Sequence, residues 1–308
     1  MPRTVVIDTD PGIDDAIAIL TALASDAFAV AGILTVAGNI GIDKTTRNAG
    51  RLVTHARRAD LPVVAGAAAP LSRAARLATE VHGEDGLGGV ALPEASRPPL
   101  TASAVPWLAD LLDGAPAGSV DVLALGPLTN LAQLLRARPR AAARIGRVIA
   151  MGGAVHEPGN VGPRAEFNMA ADPEAADTVF RSGLRVTLVP LDVTRRVRAD
   201  LAWTEALAGA GTASATLAAA LIRAYFDRTH GAGSRPLHDP CVMLLALAPE
   251  LFETRNLPLA VDLGSGPDAG ALAVDPDGGA SVEVALGVDP AGALRLLAGI
   301  LGARATVP

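Results

Sequence analysis

Cysteine is nearly missing from this chain. Cys241 stands alone among 308 residues, so no internal disulfide can form and the expected location is a reducing cytoplasm. Aromatic residues make up only 3%, which argues against the stacking platforms that hold single-stranded nucleic acid. Lysine and arginine never run longer than two in a row, and the net charge is −6. A nucleic-acid partner needs a basic patch, so none is expected. No apolar run reaches the roughly 18 residues of a membrane-spanning helix. The opening "MPRTVVIDTD" enters a strand with no signal-peptide pattern, so no membrane partner is expected.

What is abundant is apolar surface. Half the residues are hydrophobic and mean hydropathy is +0.36, enough for a large core. β-rich runs recur: "TVVID", "FAVAGILTV", "LPVVAG", "VDVLALG", "RVIAMGG", "RVTLVPLD", "LPLAVDL" and "SVEVALGV". Between most of them lie segments with helical spacing, such as "DKTTRNAGRLVTHARR", "PLTNLAQLLRARP" and "DPEAADTVFRSG". In the last, Asp172 caps a helix whose first residue is Pro173. Strands buried on both faces that alternate with helices make an α/β fold: a mostly parallel central sheet flanked by helices, Rossmann-like. No linker composition or internal repeat divides the chain, so a single domain over 1–308 is expected.

Three segments resist the pattern: Ala67 to Leu100, "HEPGNVGPRAEFN" and "RTHGAGSRPLHDP". Long loops of this kind are usually functional or disordered. In open α/β sheets, ligands sit beyond the carboxyl ends of the strands. Asp10, Asn39, Asn130 and "MGG" fall at those ends, which locates a site.

The first strand runs into four aspartates, Asp8, Asp10, Asp14 and Asp15. Carboxylates this close repel unless a cation or shared protons relieve them. Helix capping explains Asp14 or Asp15 but not all four. An EF-hand loop fails in either register, because the required Gly and Glu positions hold other residues. "IDTD" also suits an aspartyl phosphatase of the haloacid-dehalogenase type with Asp8 as nucleophile, yet the later acidic pair for magnesium is missing. Oxygen-only ligands favour a hard divalent cation, calcium or magnesium. Five scattered histidines and one cysteine argue against zinc. "LHDP" offers a further ligand, Asp239 beside His238. No phosphate cradle or dinucleotide fingerprint is present.

Taken together, "DTDPGIDDAIAI", "TVAGN", "VHGEDGLG", "LALGPLTNLA", "MGGA", "AEFNMAADPEAA" and "LHDPC" resemble the inosine–uridine-type nucleoside hydrolases. The likeness runs from residue 8 to about 241, and the final sixty or so residues match only loosely. It implies hydrolysis of a ribonucleoside to ribose and free base with a tightly held calcium. By position, Asp10 would ligate calcium and serve as general base, with Asp15, the Leu125 carbonyl and Asp239 as the other ligands. Asp14, Asn39, Asn160, Glu166 and Asn168 would hold the ribose hydroxyls, and Met151 would line the sugar pocket. The resemblance also implies a homodimer or homotetramer and leaves the base preference open.

The chemistry is consistent with that reading. Breaking a ribosyl bond passes through an oxocarbenium-like state, which a carboxylate-rich site favours. Calcium acidifies a bound water, and Asp10 at its edge accepts the proton. The departing base wants a proton donor: His238 is the first candidate, titrating near neutrality, with His82 and Tyr225 in reserve. Glu166 and Asn168 flank Phe167 with alternating direction, so both can face one side. A nucleoside-binding protein without catalysis is the alternative from a different class, disfavoured because every matched carboxylate is present.

Overall fold

A computed structural model of the protein describes residues 1–228 and 233–303. The segment "RTHGAGSRPLHDP" therefore lies partly outside the described residues. The strands are β1 (Arg3–Thr9), β2 (Phe28–Thr35), β3 (Val63–Ala65), β4 (Val120–Ala124), β5 (Ile145–Met151) and β6 (Val186–Val189). After them come β7 (Arg198–Asp200), β8 (Ser234–Pro236), β9 (Phe252–Val261), β10 (Leu272–Val274) and β11 (Ala280–Val288). Nine of them form one sheet in the order β10-β9-β11-β6-β5-β4-β1-β2-β3. The pairs from β11 through β6 to β3 are parallel, and β9 runs antiparallel to β10 and β11. The sheet is thus mostly parallel, as the alternation of strands and helices requires.

The β-branched run of β1 explains why it sits mid-sheet. Successive side chains point to opposite faces, so Val5 and Ile7 enter one apolar core and Val6 the other. All three are fully buried. Helices cover both faces, which is the arrangement a parallel sheet needs. Asp172 does cap the helix Pro173–Phe180, its side chain accepting from the Ala175 amide. β7, β8 and β10 were not legible beforehand. Each is three residues long, and "RAD" and "SRP" carry no alternation to read. Among the described residues, no helix is long and apolar enough to cross a membrane.

Strand order places the site. From β1 the chain builds outward through β2 and β3 on one side and through β4, β5 and β6 on the other. The crevice beyond the carboxyl ends of β1 and β4 is the switch point where α/β sheets take ligands.

Candidate active site

Just past β1, three residues separate the strand from the helix Ile13–Ala24. Asp14 and Asp15 lie in that helix's first turn, where free amides face a carboxylate. Asp15 is gripped from several sides. Thr9 Oγ1 (2.6 Å) and the Asp10 amide (3.3 Å) donate to Oδ1. The Gly12 amide (3.0 Å) and Asn39 Nδ2 (2.9 Å) donate to Oδ2. Asp14, Asp15 and Asp239 each bring a carboxylate oxygen within 4.8 Å of the other two.

Asp10 stands outside that trio, although the resemblance put it among the ligands and Asp14 on the sugar. Its Oδ2 accepts the Asn39 amide at 2.6 Å. Its Oδ1 is buried with no partner among the described residues. Burial, then the Asp15 charge, raises the Asp10 pKa well above the ordinary carboxylate value. Burial, then the Asp14 charge, raises the Asp15 pKa. Burial, followed by Asp14, Asp15 and Asp10, raises Asp239 strongly. Repulsion among buried acids is what a cation relieves. An all-oxygen set with one orphaned oxygen fits a hard divalent ion.

All the expected site residues except Asp10 and Asp15 line one pocket of about 260 Å³. Asn39 spends its amide hydrogens on the Asp10 carbonyl and Asp15, so its oxygen remains for a ligand. Asn160 accepts the Phe167 amide on Oδ1 at 2.9 Å, which leaves Nδ2 as the donor. Glu166 and Asn168 do not alternate along a strand: Glu166 caps the helix Phe167–Ala171, accepting from the Asn168 and Met169 amides. Its other contact is the Gly153 amide at 2.8 Å. Burial raises its pKa despite these donors. Asn168 Nδ2 reaches the Leu125 carbonyl at 2.7 Å and the Met151 carbonyl at 3.2 Å, which turns both carbonyls inward.

His82 ends the short helix Thr79–His82. Its Nδ1 accepts the Ile13 amide at 3.1 Å, which leaves the proton on Nε2. His238 Nδ1 pairs with Thr194 Oγ1 at 2.8 Å. Burial, then the Arg195 charge, pushes its pKa down to about 3. Burial thus disfavours the imidazolium, the form for which His238 was preferred, and favours a neutral imidazole that can donate an N–H. Tyr225, pushed up to about 12 by burial and then by Asp14, keeps its proton.

Arg76, Leu77, Glu80, Val81 and Val161 also line the pocket. They lie in the Gly/Pro-rich loops flagged beforehand but had no individual signal. Neither Trp107 nor Trp203 lines it. Asp8 does not either: it turns to Asn130 Nδ2 at 2.7 Å, and burial pushes its pKa up to about 7 against that hydrogen bond. A phosphatase nucleophile at Asp8 would be closed off from substrate.

The sequence profile described as "Inosine-uridine preferring nucleoside hydrolase" matches residues 5–295. Over 258 residues the chain is 44% identical to the pyrimidine-specific ribonucleoside hydrolase RihA of Salmonella newport, covering 82% of each protein. Its fold is similar to that of a plant nucleoside hydrolase, PpNRh1, with a TM-score of 0.93 and 34% identity over 99% of this chain and 100% of that one. It is also similar to a purine-preferring ribonucleoside hydrolase from Gardnerella vaginalis, with a TM-score of 0.90 and 29% identity over 97% and 98% of the two chains.

Proposed function

The chain belongs to the inosine-uridine preferring nucleoside hydrolase family, enzymes that break the N-glycosidic bond of ribonucleosides, and from that premise we propose a calcium-dependent hydrolase preferring pyrimidine nucleosides. The carrying observation is the buried Asp14–Asp15–Asp239 trio at a pocket also lined by Asn39, Asn160, Glu166 and Asn168. That is an acidic floor beneath hydroxyl-binding walls.

Asp10, Asp15, Asp239 and the Leu125 carbonyl would hold the ion, and a bound calcium would lower the pKa of a water and orient it. Asp10 has Oδ2 tied to the Asn39 amide, so Oδ1 takes the water's proton. Asp14 and Glu166 accept from ribose hydroxyls, while Asn160 donates through Nδ2. The carboxylates together stabilise positive charge on the ribosyl ring as the bond breaks. His238 and His82 offer neutral N–H groups, and Tyr225 its hydroxyl, to the departing base. The RihA relative's pyrimidine specificity supports the preference proposed here. We read the chain as one cytoplasmic domain that forms a homodimer or homotetramer, with no membrane or nucleic-acid partner.

Purified protein should release ribose from uridine and cytidine faster than from inosine and adenosine, by about tenfold or more. A calcium chelator should abolish turnover and added calcium should restore it. Measurable uridine binding with no ribose released, even with calcium, would replace the enzyme by a binding protein. A purine preference would overturn the base assignment alone.

A further inference from the structure

The loop that carries Asn160 has no secondary structure of its own between β5 and the helix Phe167–Ala171. Its outer part is half-buried or exposed. Nonetheless it presents Asn160 and Val161 to the pocket. Something other than packing must hold it, and the geometry points to the single-turn helix Leu191–Thr194 and the arginine that follows. We infer that Asp192 and Arg195 are positioning residues, a two-point clip that sets Asn160 against the sugar. This rests on the ribonucleoside reading above.

The clip acts on backbone at both ends of a short stretch. Asp192 Oδ2 accepts the Val155 amide at 2.9 Å and Oδ1 accepts the His156 amide at 2.8 Å. Arg195 donates from Nη1 to the Pro158 carbonyl at 2.7 Å and from Nη2 to the Gly159 carbonyl at 2.8 Å. Glu157 adds a looser ion pair at 3.4 Å. The forked guanidinium suits two adjacent carbonyls, a geometry one ammonium cannot reproduce. Beyond Gly159 the loop closes on itself, with the Asn160 and Val161 amides donating to the Ala165 carbonyl at 3.0 and 3.2 Å. Gly159 must stay glycine, since a Cβ there would meet the Ala165 nitrogen at 2.5 Å. Asn160 is then fixed by its own Oδ1 to Phe167.

The same turn also reaches a second residue that lines the pocket, His238. Thr194, fully buried between the two clip residues, pairs with His238. One four-residue element thus mounts a sugar-side donor and a base-side donor. A shift of about 1 Å in such a mount can cost roughly 10²-fold in rate.

The test is a double-mutant cycle with hydrogen exchange as a second readout. Arg195→Ala should lower kcat/KM for uridine by about tenfold, chiefly through KM, because ground-state and transition-state contacts to the sugar are lost together. Arg195→Lys should recover part of it. Combined with Asn160→Ala, Arg195→Ala should cost nothing further, since both changes remove the same contact. Amides of Asn160 and Val161 should exchange about tenfold faster in Arg195→Ala, with the sheet unchanged. Additive losses in the cycle, or unchanged exchange at those amides, would overturn the clip. The exchange measurement needs no turnover, so it judges the clip even if uridine proves not to be a substrate.

Discussion

Asp10 sits in a slot between two glycines, and filling one side of the slot measures how much its position matters. A Cβ added at Gly126 would lie 2.8 Å from Asp10 Cγ, and closer still to Oδ1, where ordinary contact begins at 3.4 Å. On the opposite side, a Cβ at Gly38 would stand 2.9 Å from the same Cγ. The backbone at Gly126 is not in the left-handed region, so Gly126→Ala is a purely steric change. The carboxylate must give way by about 1 Å, enough to cost roughly 10²-fold in turnover, or about 2.7 kcal/mol of barrier. Overpacking should cost about 1–3 kcal/mol of stability, which leaves a protein that still folds. The assay is kcat for uridine at saturating calcium, with circular dichroism and bound-metal analysis on the same sample. A folded, calcium-loaded Gly126→Ala enzyme within threefold of wild type would refute the requirement for a fixed Asp10.

Two further outcomes follow from the site and the sheet. His238→Ala should slow uridine by roughly 10²-fold yet spare a nitrophenyl riboside, whose leaving group needs no proton. Because the imidazole is already neutral, that defect should stay constant between about pH 5 and 8; equal losses on both substrates would reduce His238 to a support for Asp239. At the other end of the sheet, burial alone would raise Asp121, but Arg3 at 2.6 Å and Arg147 at 3.1 Å hold its pKa below the ordinary value. A depressed folded pKa means the pair stabilises above the unfolded value and loses that contribution as pH falls through the folded one. Asp121→Asn should therefore cost about 1–3 kcal/mol at neutral pH, begin to approach wild type as pH falls below about 4, and converge with it only below the depressed folded value. A difference in denaturant midpoint that stays constant with pH would contradict this.

The parallel sheet was legible because its strands lie in apolar, β-branched runs separated by helical spacing; "TVVID" and "RVTLVPLD" declare themselves. β7 and β8 were not, since "RAD" and "SRP" carry no apolar run and pair across segments far apart in sequence. In the site, residue identities were readable but orientations were not. Asn39, expected at the sugar, lines the pocket with only its oxygen left for a ligand, because its amide hydrogens serve Asp10 and Asp15. Asp14, assigned to the sugar, lines the pocket and also lies beside Asp15 and Asp239, a closeness the spacing did not show. His238 was judged by the ordinary pKa of its residue type, and only burial and the position of Arg195 revise that. Arg195 itself carries no motif signal, because its partners are backbone carbonyls, groups common to every residue.

The acidic trio also has a consequence in time. Asp14 and Asp15 are made well before Asp239, which the fold brings beside them from far along the sequence. Closing so long a loop carries an entropic cost that grows only slowly with its length. Until it closes, the early aspartates have no third carboxylate to complete the cluster. A nascent chain therefore lacks the complete cluster until Asp239 has been made and has folded against the other two. Capture of the proposed calcium would then mark the completed fold, and chains that stop before Asp239 should not retain it.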